Sequence, residues 1–140
     1  MAPLNSGVVE VEDVAAVVHL KAAPNVDPGR IAGVGSSYGG YVLLLVAGKH
    51  LDLLSAVSVS SPMCDPEGMF NDPGARPEFR AAFRRRYGGT PEQAPENWRR
   101  ASSLTYAHAI RCRVQLTDNE HDPRGLVTLN DKFIGAAVDT

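Results

Sequence analysis

Ser37 sits at the centre of Gly35-Ser36-Ser37-Tyr38-Gly39, the one G-x-S-x-G in the chain. A serine hydroxyl is a weak nucleophile. It does acyl-transfer chemistry only with a base to take its proton and donors to hold the developing oxyanion. The glycine spacing fits a nucleophile elbow, a sharp turn that lifts the hydroxyl clear of the end of a sheet. Ser37 is therefore the candidate nucleophile, and the backbone N–H of Tyr38 a candidate oxyanion donor. Three carboxylates, Asp118, Glu120 and Asp122, share one polar stretch later in the chain. In the chain order serine, acid, histidine, Asp122 is the natural acid, with Asp118 and Glu120 as competitors. The four histidines are His19, His50, His108 and His121, and none follows Asp122. His121 adjoins Asp122, where neighbouring side chains on an extended loop point apart. The plain alternative is a glycine-rich turn between a strand and a helix. Two phosphate-binding readings fail: Tyr38 stands where a dinucleotide fingerprint needs a small residue, and Tyr41 where a P-loop needs lysine.

An elbow needs a strand before it and a helix after it. Residues 30–34 are short and apolar enough for a buried strand, and 41–47 are apolar all round, as a buried helix would be. Gly35 and Gly39 are expected to remove Cβ atoms that would clash across the turn. Upstream, residues 9–22 predict a helix with acids in its first turn, closed by the Pro24–Gly29 turn. Downstream, 53–59 predicts a strand and 61–76 a loop. Residues 77–87 predict a helix with Phe79 and Phe83 on one face and Arg80, Arg84, Arg85 and Arg86 largely outside. Those arginines could hold an acidic group, although a solvated face is the plainer reading. Thr90-Pro91-Glu92-Gln93 carries capping features, and Trp98 reads as a packing residue. A strand at 113–117, the polar loop 118–122 and an amphipathic helix from Leu126 complete the chain. Helix, strand, helix, strand implies a mostly parallel sheet with crossovers. The fold class is α/β, with flanking helices and a helical excursion over 61–103 between strands. Residues 1–140 are read as one domain.

The chain has 140 residues, 44% of them hydrophobic, enough for a real core. A net charge of −2 gives no general attraction to nucleic acid or anionic membrane. Cys64 and Cys112 form no metal or redox motif. They are expected to be reduced, in a cytoplasmic setting. The first residues show no signal-peptide pattern, and 41–47 is too short to cross a bilayer.

Taken together, Val26-Asp27-Pro28-Gly29-Arg30-Ile31 running into Gly35–Tyr41 resembles the catalytic domain of the prolyl oligopeptidase family of serine peptidases. So do Arg86-Tyr87-Gly88, Ala101–Leu104, Ala107–Ile110, Thr117 through His121-Asp122-Pro123-Arg124, and Lys132-Phe133-Ile134. The resemblance covers most of the chain from about Val9. It implies a partial α/β-hydrolase fold, Ser37 as nucleophile, Asp122 as triad acid and the Tyr38 N–H as one oxyanion donor. It implies no cofactor and no metal. Family domains are longer, and their triad histidine follows the final helix. The chain therefore reads as the middle-to-late part of such a hydrolase.

The expected function is hydrolysis of peptide bonds through an acyl-enzyme on Ser37, incomplete or weak in these 140 residues. The alternatives are a carboxylesterase, and an inactive α/β remnant serving as an interaction module. The expected partners are a peptide or ester substrate and a second copy pairing at an exposed sheet edge, with neither nucleic acid nor membrane.

Overall fold

A computed structural model describes residues 9–122 and 126–138. Residues 1–8, Pro123, Arg124, Gly125 and 139–140 lie outside the described residues. Three parallel strands form the centre: β1 (Ala32–Ser36), β2 (Ala56–Ser60) and β3 (Arg113–Thr117), in the order β1-β2-β3. Their register places Ser36 opposite Ser60 and Ser60 opposite Thr117, so all three strands end at one edge. The strand expected at 113–117 is found there. The first two start two and three residues later than the apolar runs suggest, and each ends on a serine, Ser36 and Ser60.

Helix α1 (Val11–Lys21) precedes the sheet, and α2 (Tyr38–Lys49) links β1 to β2. Almost every side of α2 is buried, from Tyr41 through Ala47, as its unbroken apolar run requires. A Cβ on Gly33 would stand 2.6 Å from the Leu43 side chain, so α2 lies almost on the strand. Leu44, Val46 and Ala47 pack with Val57 and Val59 of β2, Cys64 and Phe133 into the main core. The burial of Cys64 pushes its thiol up to about 12. At the other end, Lys49 pairs with buried Glu10 at 2.9 Å and ties the start of α1 to the end of α2.

Between β2 and β3 run α3 (Pro66–Asn71), α4 (Pro77–Tyr87), α5 (Pro95–Ala101) and a 3₁₀ helix (Ser103–Ala109). Helix α3 falls where a loop is expected. The Asp65 side chain accepts from Gly68 N at 2.9 Å and Pro66 fills the first turn, so a cap and a proline start a helix in a proline-rich stretch. Gly88 ends α4 in the left-handed region at φ 82°. The excursion has its own aromatic core, in which Phe70, Phe83 and Tyr87 surround Trp98 with ring centroids 4.5–5.6 Å away. Trp98 is a packing residue, as expected; only its Nε1 finds a polar partner, the Gly89 carbonyl at 3.2 Å. Helix α6 (Leu126–Val138) closes the main core with Phe133.

Candidate active site

Ser37 is the single residue between β1 and α2. Its backbone is held at φ 51°, ψ −116°, outside the regions an L-residue prefers. Two backbone bonds hold it there: Ser37 N donates to Ser60 O at 2.8 Å, and Tyr41 N donates to Ser37 O at 3.0 Å. The side chain does not cap the helix, so its hydroxyl is not consumed by α2. Tyr38 is the first residue of α2, where an N–H has no acceptor within the helix. That N–H and the positive end of the helix dipole favour negative charge at this point.

The two flanking glycines prove unequal. A Cβ on Gly35 would lie 2.8 Å from the carbonyl carbon of Gly39 and 2.9 Å from Gly40 N, so strand and helix backbones meet there. A Cβ on Gly39 would meet nothing within 4 Å, so the expected clash at that position is absent. Gly40 is the tighter neighbour, with Val59 and Pro62 side chains 3.3 Å from where its Cβ would be.

Ser37 opens on a cleft of about 280 Å³. Met63, Met69, Phe79, Phe83 and Leu126 give it apolar walls, and Tyr38, Ser61 and Arg86 line it with Ser37. Ser61 is a site residue that sequence reasoning missed. It lies just past β2, has φ 44°, and its N donates to Thr117 O at 2.8 Å. A second strained serine thus lies beside the first at the carboxyl edge of the sheet. Nothing in the local sequence Ser60-Ser61-Pro62 marks it except the proline that follows. The cleft's aromatic side is braced from behind. The Tyr38 and Tyr41 rings are 5.6 Å apart, and the Tyr41 hydroxyl donates to Ala101 O at 2.7 Å. Burial raises the Tyr41 hydroxyl pKa far above the ordinary tyrosine value, and that of Tyr87 to about 12, so neither ionises at neutral pH.

The loop after β3 carries the candidate acids to the same edge of the sheet as Ser37. Asp118 accepts both 3.0 Å and 3.1 Å bonds from Asn130 Nδ2, so α6 engages this carboxylate. Glu120 is exposed and lies 3.5 Å from His121 Nε2. Asp122 is half-buried, and its N donates to Asn119 O at 2.9 Å. Asp118 and Asp122 are thus both half-buried, and Glu120 lies in solvent. The histidines are dispersed. His19 is in α1, His50 ends α2 at the opposite end from Ser37, His108 is exposed in the 3₁₀ helix, and His121 is 86% exposed. Among the described residues, no group of three or more His, Cys, Asp or Glu could hold a metal ion. No helix among them is long and apolar enough to cross a membrane.

The model of the prolyl oligopeptidase family matches residues 2–137. The chain belongs to that family. It is 27% identical over 106 residues to the inactive dipeptidyl peptidase 10 of Mus musculus, a match covering 75% of this chain and 12% of that protein. Among solved structures it is similar to a puromycin-hydrolyzing peptidase of Mycobacterium tuberculosis, with 28% identity, TM-score 0.78, and 95% of this chain matched to 20% of that one. Dipeptidyl peptidase 4 of Porphyromonas gingivalis, at 23% identity and TM-score 0.79, shares the fold over 98% of this chain and 18% of its own. The three-stranded parallel sheet with its helices is thus part of an α/β-hydrolase peptidase fold. The 140 residues span about an eighth of the mouse relative and about a fifth of the solved ones.

Proposed function

We propose that this chain is the nucleophile-and-acid portion of a serine peptidase catalytic domain, residues 1–140 forming part of one domain with 61–103 as its helical excursion. The observation that carries the reading is Ser37. It is a non-glycine residue held at positive φ between a parallel strand and a helix N-terminus, with its side chain free of the helix cap and open to an apolar cleft. Ser37 Oγ attacks the carbonyl carbon of a peptide bond, forming a C–O bond. The Tyr38 N–H holds the oxyanion. The C–N bond breaks as the amine leaves with a proton, and water then releases the acyl group. Asp122 would orient the histidine that moves the proton. The histidines among these residues are dispersed, so hydrolysis by residues 1–140 alone is expected to be slow.

A fluorophosphonate probe tests this. Slow labelling located at Ser37 by mass spectrometry, and abolished in Ser37→Ala, is the expected result. Labelling that survives Ser37→Ala overturns the assignment. Because elbow chemistry is shared, peptide and ester substrates should be compared to separate a peptidase from a carboxylesterase.

A second reading, an inactive α/β module that works by association, is favoured by the 84% exposure of Val34 on the sheet. Complete absence of labelling, together with self-association, would select it. A cytoplasmic setting is part of the proposal, supported by two free cysteines, Cys64 buried and Cys112 half-buried.

A further inference from the structure

We propose that Arg86 is a specificity-determining residue of the Ser37 cleft, selecting ligands that carry a carboxylate next to an apolar group. The inference rests on reading that cleft as the substrate site. Among the described residues, Arg86 is the one formal charge lining a cleft otherwise walled by methionine, phenylalanine and leucine. Of the other arginines on α4, Arg80 and Arg84 are engaged elsewhere and Arg85 is exposed. Arg80 Nε donates to Phe70 O at 2.9 Å and its Nη2 to Asp72 O, which caps α3; Arg84 lies over the Phe70 ring, 5.7 Å from its centroid. Arg86 lies over the Tyr38 ring at 5.1 Å. A ring contact uses the cation's charge but no hydrogen bond. Among the described residues, no acceptor meets any of its N–H donors and no carboxylate pairs with it.

The guanidinium is also held in place. Tyr38 beneath it packs on Tyr41, and Tyr41 is anchored to Ala101 O at 2.7 Å. A planar fork of open donors, fixed at the rim of an apolar cleft, matches a carboxylate two bonds at a time. Low polarity in the cleft reduces the screening that would weaken such a pair in open water. A ligand with an apolar side chain between Phe79, Phe83 and Met69 and an acidic group at the rim would use both features. The carboxylate could be a peptide's free C-terminus or an acidic side chain, and the probes separate the two.

The 140-residue chain is titrated calorimetrically with two probe pairs. The first is N-acetylphenylalanine against its neutral amide. The second is N-acetyl-phenylalanyl-glutamate amide against the glutamine analogue. In at least one pair the acid should bind about tenfold tighter, the scale of one charge-assisted contact at a half-solvated site. The pair that shows it names the source of the carboxylate. The preference should vanish in Arg86→Gln, persist in weakened form in Arg86→Lys, and shrink with added salt. Binding without preference, no binding of any probe, or a preference that survives Arg86→Gln overturns the proposal. Should Arg86→Gln not fold, as judged by Trp98 fluorescence, Arg86→Lys and the salt dependence decide. Fluorophosphonate labelling is run in parallel. Loss of Ser37 labelling with the acid preference intact would sink the hydrolase reading and leave this one standing; the converse would do the reverse.

Discussion

The two faces of the sheet differ more than any other two regions of this protein. On one face, Gly33 and Gly35 let α2 lie against β1, and Val57 and Val59 are almost fully buried. On the other, Ala32, Val34, Ser36, Arg113, Gln115 and Thr117 are exposed, with Val34 84% accessible. Ser58 donates to Gln115 across that bare face at 2.9 Å. Wholly parallel sheets are ordinarily covered on both sides. Here the helices pack on one face, so the described fold is stabilised from one side and the elbow belongs to that side.

Breaking the closed face should therefore cost much and changing the bare face little. The largest effect is expected for Gly35→Val. Its side chain would enter the backbone of Gly39 and Gly40, which cannot rotate away, and a loss of at least about 3 kcal/mol follows. Chemical denaturation should show it, and Ser37 labelling should disappear with the elbow. Leu44→Ala comes next. Leu44 is fully buried in the main core, and its truncation should cost about 3 kcal/mol with little change at Ser37. Equal losses for Val34→Ala and Leu44→Ala would refute the contrast between the faces.

Alkaline pH loads the closed face more gently. The folded-state pKa of Cys64 lies near 12, above the ordinary thiol value, so the folded state holds that proton longer than the unfolded one. Stability is complete below about pH 9 and falls as pH rises toward 12, with Tyr87 adding to the same fall from about pH 10. Urea melts at stepped pH should show the decline, flattened in Cys64→Ala. The smallest effect is expected for Val34→Thr, within about 0.5 kcal/mol. Its value lies in assembly. If the bare face pairs copies of the chain, sedimentation should show association rising with concentration in the wild type and reduced in Val34→Lys.

The closed face is also where the sequence was most legible. An all-apolar run at 41–47 states a buried helix, and two glycines around a serine state a close strand–helix turn; both follow from local sterics. The positive φ at Ser37 matches that expectation, whereas the role given to Gly39 does not, because its Cβ direction depends on how α2 leaves the turn. Helix α3 was hidden by the prolines around it, although Asp65-Pro66 carried the capping signal. The position of Arg86 could not be read from helical spacing. Its neighbours on α4 point to solvent or to α3, and only the packing of α4 against Tyr38 brings it to the cleft. The acid loop was legible as a set of three carboxylates. What separates them is Asn130 on α6, which binds Asp118, a pairing across twelve residues that composition does not announce.

The bond from Tyr41 to the Ala101 carbonyl joins two residues 60 positions apart in the chain. Closing a loop of that length is an entropic cost that local helices cannot offset by themselves. The elbow turn, held by the bond from Ser37 N to Ser60 O, closes a much shorter loop and can form earlier. The wall of the cleft beside it must wait until the excursion has folded back and delivered Ala101. During refolding, Ser37 should thus acquire its backbone geometry before it acquires a surface to bind anything. Amide hydrogens of α2 should gain protection from exchange ahead of those of α4 and α5.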